Sequence, residues 1–445
     1  MYRYAFVGVV LVLLGGCASY GVVENVAGPA AKDRSSYSLV TFQERWRTDD
    51  NAVMLAFSGG GTRAAALAYG VLKALRDTPV PGSAGARSLL NEVHSISSVS
   101  GGSFTAAYYG LHGDRIFEDY EDVFLRQNVQ GALIHRLLNP FSWFGRAGRT
   151  EMAVSYYEKT VFGEATFADM LGPDRPLVVI NASDLGEGVR FSFLQDYFDL
   201  LCSDLSSFPI ARAVTASSAV PVLFNPVVVQ NFPACGDRAA KFLAAARKRA
   251  AGRPELELTV EGLETFSDHD KRQYIHFVDG GITDNLGIRS LYEIIELSGG
   301  IAEYSAQHQR VPPKRLVLIS VNAATDPARD MDRSTKQPSV PKVVGAVSDV
   351  QLHRYNVDTI ALIKASMERW AQELSKSGRL TEPYFILLDF HGIQDVEQRL
   401  FLNQTPTSFS LTDEQVDGLI EAGGELLRND PEFRRLLSDM AAEAG

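Results

Sequence analysis

The stretch FSGGGTRA occupies residues 57–64, between a strand-like apolar run and an alanine-rich segment of helical character. Three consecutive glycines allow a tight turn and leave the backbone N–H groups unobstructed at a helix N-terminus, where the helix dipole favours negative charge. The spacing is not that of a dinucleotide-binding turn, and a phosphate-binding loop would end in Gly-Lys-Ser or Gly-Lys-Thr. The stretch therefore predicts either a purely structural turn or a cradle for another kind of anion.

A second strand-to-helix turn, SVSGG at residues 98–102, ends the apolar run at residues 93–99. The arrangement is typical of a nucleophile elbow, in which small neighbours let a serine hydroxyl project above the sheet. Among the nearby serines, only Ser100 is followed by glycine where helix and strand approach each other. Ser98 stands where this motif has its first glycine, so its side chain must fit into that space.

A serine hydroxyl is a weak nucleophile at neutral pH and needs a neighbouring base. Asp279 is the candidate, because it follows the apolar run at residues 274–278 and precedes two glycines. The strand ends of parallel sheets are also where ligands bind. The histidines from His276 onward do not lie in strand-end loops with small flanking residues, so a Ser-His-Asp triad is not expected.

Apolar runs that resemble buried strands alternate with helical stretches. The strands are expected at residues 52–57, 93–99, 177–181, 274–278, 316–321 and 384–389, and the helices at 64–76, 103–110, 152–161, 286–297 and 350–374. This alternation predicts an α/β fold with a mostly parallel central sheet and helices on both faces. Two amphipathic helices, broken at Asp430-Pro431, are expected over residues 411–440.

Five segments in this order are similar to motifs of the patatin-like phospholipases. They are SGGGTRAA (58–65), SVSGGS (98–103), LVVINASDL (177–185), ASSAVPVLFNP (216–226) and VDGGITDN (278–285). The sequence PTSF at 406–409 resembles bacterial lipoprotein members. The resemblance implies a patatin-like three-layer sandwich and a Ser-Asp dyad that hydrolyses lipid esters.

The resemblance assigns Ser100 as the nucleophile and Asp279 as the general base. The backbone N–H groups of Gly60 and Gly61, with Gly59 as a further candidate, are expected to form the oxyanion hole. Arg63 is expected either to bind a lipid phosphate or to hold the turn. No metal and no other cofactor is expected, because the chemistry requires none and no ligand cluster is visible.

Three positions depart from the family pattern. Ser58 replaces the usual Asp at the head of the glycine loop, and Ala64 replaces the Gly after the arginine, a variant that resembles the cytosolic phospholipase A branch. Gly287 stands where Pro is common. We expect these changes to bear on substrate choice more than on reaction type.

The N-terminus resembles a bacterial lipoprotein signal. Arg3 precedes an apolar run at residues 5–14, too short to span a bilayer as a stable helix, and LGGC follows with Cys17 as its last residue. Lipidation of Cys17 would anchor the chain to a membrane. Ala18 follows the cysteine instead of an acidic residue, which by resemblance favours the outer membrane, facing the periplasm. A plain secretory signal is the alternative.

Four regions are expected along the chain: a signal peptide at 1–17, a tether at 18–50, the catalytic domain at 51–400 and a C-terminal helical extension at 401–445 packed on the body. The remaining cysteines, Cys202 and Cys235, lie in a loop-rich region of a chain expected in a compartment that permits disulfides. The sequence leaves two alternatives open: a disulfide bond between these cysteines, or two buried free thiols.

The composition limits the classes of molecule that the protein is expected to bind. A net charge of −11 without a basic stripe argues against nucleic acid. The expected partners are a phospholipid or other acyl lipid as substrate and the membrane through Cys17. Residues 133–144, which include Trp143 and Phe144, predict either an interfacial lid or an ordinary core helix. An acyltransferase or thioesterase with the same dyad, and a non-catalytic lipid-binding lipoprotein, are the alternative functions.

Overall fold

The computed structural model describes residues 21–28, 36–43, 50–83, 87–129, 131, 148–221, 223–233, 237–307, 310–326, 332 and 335–444. The strands in these ranges are β1 (Val26–Ala27), β2 (Asn51–Phe57), β3 (Val93–Val99), β4 (Leu177–Asp184), β5 (Arg190–Ser192), β6 (Ser203–Asp204), β7 (Val227–Gln230), β8 (Tyr274–Asp279), β9 (Arg315–Val321) and β10 (Glu382–Leu388).

The helices in these ranges are α1 (Leu39–Gln43), α2 (Thr62–Asp77), α3 (Gly101–His112), α4 (Ile116–Tyr120), α5 (Arg149–Tyr157), α6 (Gln195–Phe198), α7 (Ile210–Ser217), α8 (Asp237–Ala250), α9 (Pro254–Glu264), α10 (Gly281–Asp284), α11 (Arg289–Leu297), α12 (Ile301–Gln307), α13 (Val340–Ser375), α14 (Val396–Gln404), α15 (Asp413–Asn429) and α16 (Pro431–Ala444).

The central sheet has the order β10-β9-β2-β3-β4-β8-β7, and β5 pairs with β4 outside this path. The five strands from β10 to β4 are parallel, while β8, β7 and β5 pair antiparallel. This arrangement confirms the mostly parallel α/β fold expected from the sequence. The carboxyl ends of the parallel strands share one edge of the sheet, and both glycine-containing turns follow strands that end there.

Alternate residues of the central strands enter two different cores, which is the geometry of a sheet covered on both faces. In β2, Leu55 and Phe57 pack into the core that contains α2, α3 and α15, whereas Ala56 faces the core that contains α11 and α13. In β9, Ile319 packs into the first of these cores and Leu318 into the second. The apolar runs are continuous in sequence because neither face of these strands is exposed.

Helices α2 and α15 approach each other closely on one face of the sheet. A side chain at Gly70 would lie 2.1 Å from the carbonyl oxygen of Ile420, and one at Gly423 would lie 2.4 Å from that of Leu67. Glycine is therefore required on both helices, because any larger residue would separate their backbones. This contact fixes the C-terminal helices on the body of the protein.

The expected tether at residues 18–50 is partly wrong, because the described part of this segment packs on the body. The Asn25 side chain exchanges hydrogen bonds of 2.8 Å with the backbone of Gln230, so it covers the edge strand β7. The Tyr37 hydroxyl donates to the Val178 carbonyl at 3.0 Å and accepts from the Val178 N–H at 2.9 Å. Phe42 is fully buried.

The expected boundary between residues 400 and 401 is also wrong, because it falls inside helix α14. The two C-terminal helices are separate, with Asp430 between them and Pro431 at the start of α16. Proline at the first helical position is well tolerated because the N–H it lacks would have no partner within the helix.

Some expectations lie outside the described residues. These are the signal sequence with Cys17, the possible lid at residues 133–144 with Trp143 and Phe144, and Cys235. In the part of the chain that is described, no helix has the length and apolar character needed to cross a membrane.

Candidate active site

The nucleophile turn joins β3 to α3. Ser100 lies between them with φ of 50° and ψ of −120°, a conformation that residues with a side chain rarely adopt. The two following glycines are required by close packing, since a side chain at Gly101 would lie 2.0 Å from the Gly61 carbonyl oxygen and one at Gly102 would lie 2.7 Å from that of Ser58. The strained serine at the strand end is the expected geometry of a nucleophile elbow.

Ser100 and Asp279 meet directly. The Ser100 hydroxyl donates a hydrogen bond of 2.8 Å to Oδ2 of Asp279, and the Gly281 N–H donates one of 2.8 Å to Oδ1. Burial raises the pKa of Asp279 to about 6, and these two hydrogen bonds act against the shift. Both side chains are largely buried, with the residues 5% and 8% exposed, so only a small part of the pair is accessible.

Sheet pairing explains how residues 179 positions apart come together. Val99, which precedes Ser100, pairs with Asn181 of β4. The next residue of β4, Ala182, pairs with Asp279 at the end of β8. Strand β4 therefore lies between the strand of the hydroxyl and the strand of the carboxylate, and it sets their separation.

The other serines near the turn have structural partners. Ser98 is fully buried, accepts a hydrogen bond from Ser103 at 3.1 Å and donates one to the Val179 carbonyl at 3.3 Å. Ser97 shares a hydrogen bond of 2.6 Å with Ser290. These hydroxyls point into the protein, and Ser98 fits the space where the motif has glycine.

The glycine loop, residues 58–61, lies against the nucleophile. A side chain at Gly59 would lie 3.4 Å from Cβ of Ser100. The N–H of Gly59 donates to the Asn285 carbonyl at 2.9 Å. The expectation that Gly59 donates to an oxyanion is therefore wrong, because its only backbone donor is already used to hold the loop.

Gly60 and Gly61 adopt φ values of 140° and 63°, which favour glycine. Across the ranges the structure describes, neither N–H has an acceptor. N–H groups without an acceptor, in a loop that packs against the nucleophile turn, are what an oxyanion hole requires.

The glycine loop is covered by the segment at residues 405–410, between α14 and α15. The Thr62 N–H donates to the Ser408 carbonyl at 2.9 Å, and a side chain at Gly61 would lie 2.5 Å from the same oxygen. Phe409 packs edge-on against Phe104 of α3, with 5.8 Å between ring centroids. This C-terminal segment therefore builds part of the site.

Arg63 holds this segment. Of its two expected roles, binding a lipid phosphate is therefore wrong, and its contacts fit the alternative of holding the turn. Its Nε donates to the Ala323 carbonyl at 2.8 Å, Nη1 to the Thr405 carbonyl at 2.6 Å and Nη2 to the Thr407 hydroxyl at 3.0 Å. Only 4% of the residue is exposed, and burial lowers its pKa to about 10. A guanidinium fixed by three acceptors in two separate segments of the chain is not available to a lipid phosphate.

The sequence model of a family described as patatin-like phospholipase matches residues 55–292, just over half of the chain. The chain belongs to the patatin-like phospholipase family. This membership confirms the resemblance drawn from the five motifs and supports lipid hydrolysis as the general activity. All the residues of the nucleophile turn, the glycine loop and the Asp279 loop lie within the matched range.

Similar solved structures include human GIVD cytosolic phospholipase A2, which is 11% identical with a TM-score of 0.44 and coverage of 96% of this chain and 69% of that chain. The same human enzyme in complex with methyl γ-linolenyl fluorophosphonate is 12% identical, with a TM-score of 0.43 and coverage of 96% and 70%. At these values the matches carry no argument about function. No curated protein sequence matches the chain.

Two departures from the usual patatin-like pattern have structural reasons here. Ser58 donates its hydroxyl to the Gly59 carbonyl at 3.1 Å and accepts the Ala323 N–H at 2.9 Å, so it ties the glycine loop to the end of β9. Gly287 adopts φ of 71°, which the fixed ring of proline forbids. Both substitutions act on backbone geometry.

A second buried carboxylate was not predicted from the sequence. Burial raises the pKa of Asp284 to about 6, and its Oδ2 accepts the Ser290 N–H at 3.2 Å. It lies near the buried ion pair of Arg190 and Glu293, whose Nη2 and Oε2 are 2.6 Å apart. These residues are separated widely in sequence, and no local pattern connects them.

An apolar cavity of about 100 Å³ lies at the opposite edge of the sheet from Ser100. Its lining includes Ala52, Ser95 and Leu177, which lie near the first residues of β2, β3 and β4. Ser100 follows the other end of β3, and a strand of 7 residues spans roughly 20 Å. It is therefore distinct from the candidate site.

Cys202 is disulfide-bonded, while its expected partner Cys235 lies outside the described residues, so this pairing stays a prediction. No group of three or more His, Cys, Asp or Glu side chains that could hold a metal is found in the described portion of the chain.

Proposed function

We propose that this protein is a serine acyl hydrolase of the phospholipase A or lysophospholipase type, with Ser100 as nucleophile and Asp279 as general base. The observation that carries the proposal is the hydrogen bond of 2.8 Å from the Ser100 hydroxyl to the Asp279 carboxylate. The adjacent glycine loop offers the N–H groups of Gly60 and Gly61, which have no acceptor among the residues the structure describes. A hydroxyl, a base and oxyanion donors are the minimum set for acyl transfer.

In the first step Asp279 accepts the Ser100 proton while Oγ attacks the ester carbonyl carbon. The carbonyl oxygen becomes an oxyanion, which accepts hydrogen bonds from Gly60 and Gly61. Each such donor is typically worth about 3 kcal/mol in the transition state. The tetrahedral intermediate then collapses, and the leaving alcohol takes the proton from Asp279.

The acyl group remains on Ser100 as an ester. Asp279 then accepts a proton from water, whose oxygen attacks the acyl carbon. As the intermediate collapses, Asp279 returns this proton to Oγ of Ser100, which leaves as the free hydroxyl, and the fatty acid is released. Because Asp279 acts in both steps as a carboxylate, its pKa of about 6 predicts that the rate falls as the pH decreases below this value. Above it the base is ionised and the rate is constant.

The substrate proposal rests on family membership, which supports a lipid. The location rests on the sequence: the apolar run at residues 5–14 and the LGGC motif support a lipid anchor at Cys17 in the outer membrane, facing the periplasm. An anchored enzyme is held close to the acyl lipids of that membrane.

The proposal is tested by measuring fatty acid release from phospholipid vesicles by the purified full-length protein. We expect Ser100→Ala and Asp279→Asn each to lower the rate by at least about 10³-fold. Two matched controls, Ser218→Ala and Asp284→Asn, also change a buried serine and a buried carboxylate, and we expect each to stay within about tenfold of the wild type.

Hydrolysis that persists in Ser100→Ala would contradict the nucleophile, and persistence in Asp279→Asn would contradict the base. Adding a lysophospholipid as acyl acceptor tests the transferase alternative, because a new acylated product appears only if the acceptor replaces water at the acyl-enzyme. Supplying an acyl thioester as substrate tests the thioesterase alternative, because a thioesterase would hydrolyse it faster than the phospholipid.

A further inference from the structure

Ser217 ends helix α7 and is fully buried beneath the nucleophile turn. Its hydroxyl accepts a hydrogen bond from the Ser100 N–H at 2.9 Å and donates one to the Asn181 carbonyl at 2.6 Å. The hydroxyl therefore joins the nucleophile turn to β4, the strand that lies between the two reacting residues.

The backbone at the same place holds the loop of the base. The Gly280 N–H donates to the Ser217 carbonyl at 3.0 Å, and the Asp279 N–H donates to the Ala219 carbonyl at 3.0 Å. Ser217 thus contacts both loops of the site at once. Its side chain holds the serine, and its backbone, with that of Ala219, holds the carboxylate.

The Ser100 conformation explains why a side-chain acceptor is needed. A φ of 50° is unfavourable for a residue with a side chain, so the turn must be held by its surroundings. The Ser100 N–H donates to a side chain rather than to a neighbouring strand. Without the Ser217 hydroxyl this buried N–H would be unpaired, and the strained turn would relax more easily.

We propose that Ser217 is a positioning residue for the acyl-transfer reaction, whose hydroxyl keeps the Ser100 turn within hydrogen-bonding distance of Asp279. The inference rests on the proposed function, because it adds a role within the same reaction. Ser217 acts through the backbone of Ser100 and contacts no reacting atom. Its loss therefore affects alignment of the nucleophile and leaves lipid binding unchanged.

The test compares Ser217→Ala with Ser218→Ala in the full-length protein, using vesicle hydrolysis and thermal unfolding. Ser218 is the matched control, because it is adjacent and buried, and its hydroxyl donates only to backbone carbonyls of its own helix, at 2.8 Å to Val214. We expect kcat to fall about 10- to 100-fold in Ser217→Ala with KM within about twofold, and both constants to stay near wild type in Ser218→Ala.

The pH profile gives a readout that a general loss of stability would not move. The Ser100 hydroxyl and the Gly281 N–H are the two donors that lower the pKa of Asp279. If Ser217→Ala loosens the Ser100 hydrogen bond, the midpoint of kcat against pH moves to higher pH. Ser217→Cys, of nearly the same shape but a poor acceptor, carries the same test if the alanine variant does not fold.

Wild-type kcat and an unmoved midpoint in Ser217→Ala would overturn the proposal. Equal losses in Ser217→Ala and Ser218→Ala, matched by equal drops in melting temperature, would overturn it as well. Failure of the proposed function looks different, because Ser100→Ala would then hydrolyse lipid as fast as the wild type. If Ser100→Ala is inactive and Ser217→Ala is fully active, the proposed function stands and only the positioning role of Ser217 is contradicted.

Discussion

The nucleophile turn and the glycine loop are both strand-to-helix turns at the carboxyl edge of the sheet, yet different parts of the chain hold them. The nucleophile turn is fixed from inside the protein, by Ser217 and by the buried hydroxyls of Ser98 and Ser103. The glycine loop is tied to Asn285 and Ala323, and it is also held by the C-terminal segment that contacts Thr62 and Arg63.

This difference shows which part of the site, the reacting pair or the oxyanion donors, depends on residues far away in the chain. The reacting pair is positioned by the sheet, so it depends on strands and their ends. The oxyanion donors depend on residues 405–410, about 345 positions later in the chain. Changes to the C-terminal segment should therefore alter the rate of the reaction by moving the glycine loop.

Within the glycine loop, the largest expected effect comes from Gly61→Ala. A side chain there would lie 2.5 Å from the Ser408 carbonyl oxygen, so either the loop or the C-terminal segment must move. Displacing one oxyanion donor should lower kcat by about 10²- to 10³-fold, or about 3–4 kcal/mol, with KM little changed. Vesicle hydrolysis over a range of lipid concentrations measures both constants.

The control is Gly163→Ala. Gly163 has φ of 63° and ψ of −153°, close to the 63° and −147° of Gly61, but a side chain at Gly163 would meet nothing within 4 Å. Gly163→Ala therefore introduces the same backbone strain as Gly61→Ala, but without a steric clash. If Gly61→Ala keeps wild-type kcat, or if Gly163→Ala loses as much, the glycine loop does not supply the donors.

A smaller effect is expected on stability at the base, Asp279. Burial raises the pKa of Asp279 from 3.8 to about 6, so keeping it ionised in the folded protein costs about 3 kcal/mol. The folded state holds this proton more tightly than the unfolded state. The cost is therefore absent below about pH 4, increases up to about pH 6 and is constant above.

Asp279→Asn removes this cost while it removes activity. We expect the free energy of unfolding at pH 7.5 to rise by up to about 3 kcal/mol, and the gain to vanish near pH 4. Denaturant unfolding at both pH values measures it. The exposed Asp268, whose pKa is lowered by Lys271, serves as the control because Asp268→Asn should give no gain. A loss of stability in Asp279→Asn at pH 7.5 would contradict the account.

The smallest expected effect comes from Thr407→Val. This change removes one of the three acceptors of Arg63, at an exposed position where water can replace it. We expect a loss of about 1 kcal/mol in stability and a fall of a few-fold in kcat. Thr259→Val is the matched control, because the Thr259 hydroxyl bonds only within its own helix at 3.1 Å. Equal kcat in the two variants would show that the C-terminal segment does not act on the glycine loop.

Much of the fold could be predicted from the sequence, because the parallel strands are buried on both faces and appear as continuous apolar runs. The strand at Val93–Val99 has the predicted bounds, and four of the other five predicted strands differ by at most two residues at either end. The short strands β1, β5, β6 and β7 are not predicted, because two to four residues carry too little pattern. Helix α13 begins at Val340, ten residues earlier than expected.

The proximity of Ser100 and Asp279 follows from local signals, since each residue ends an apolar strand and precedes two glycines. The role of Gly59 could not be predicted, because its partner Asn285 lies far away in the chain. For Arg63 the sequence left two roles open, because its partner Thr405 is also distant. Ser217 lies in a motif that the sequence does reveal. Its contact with Ser100 depends on how α7 packs below the sheet, and no spacing in the sequence encodes that distance.

The central claim is that Ser100 reacts and that Asp279 activates it. The most direct test is to treat the full-length protein with a lipid-like fluorophosphonate and to locate the adduct by peptide mass spectrometry at several pH values. The account predicts a phosphonyl group on Ser100, formed at a rate that falls about tenfold per pH unit below about pH 6 and is at least about 10³-fold lower in Asp279→Asn. An adduct on another residue, or labelling of Asp279→Asn at the wild-type rate, would contradict it.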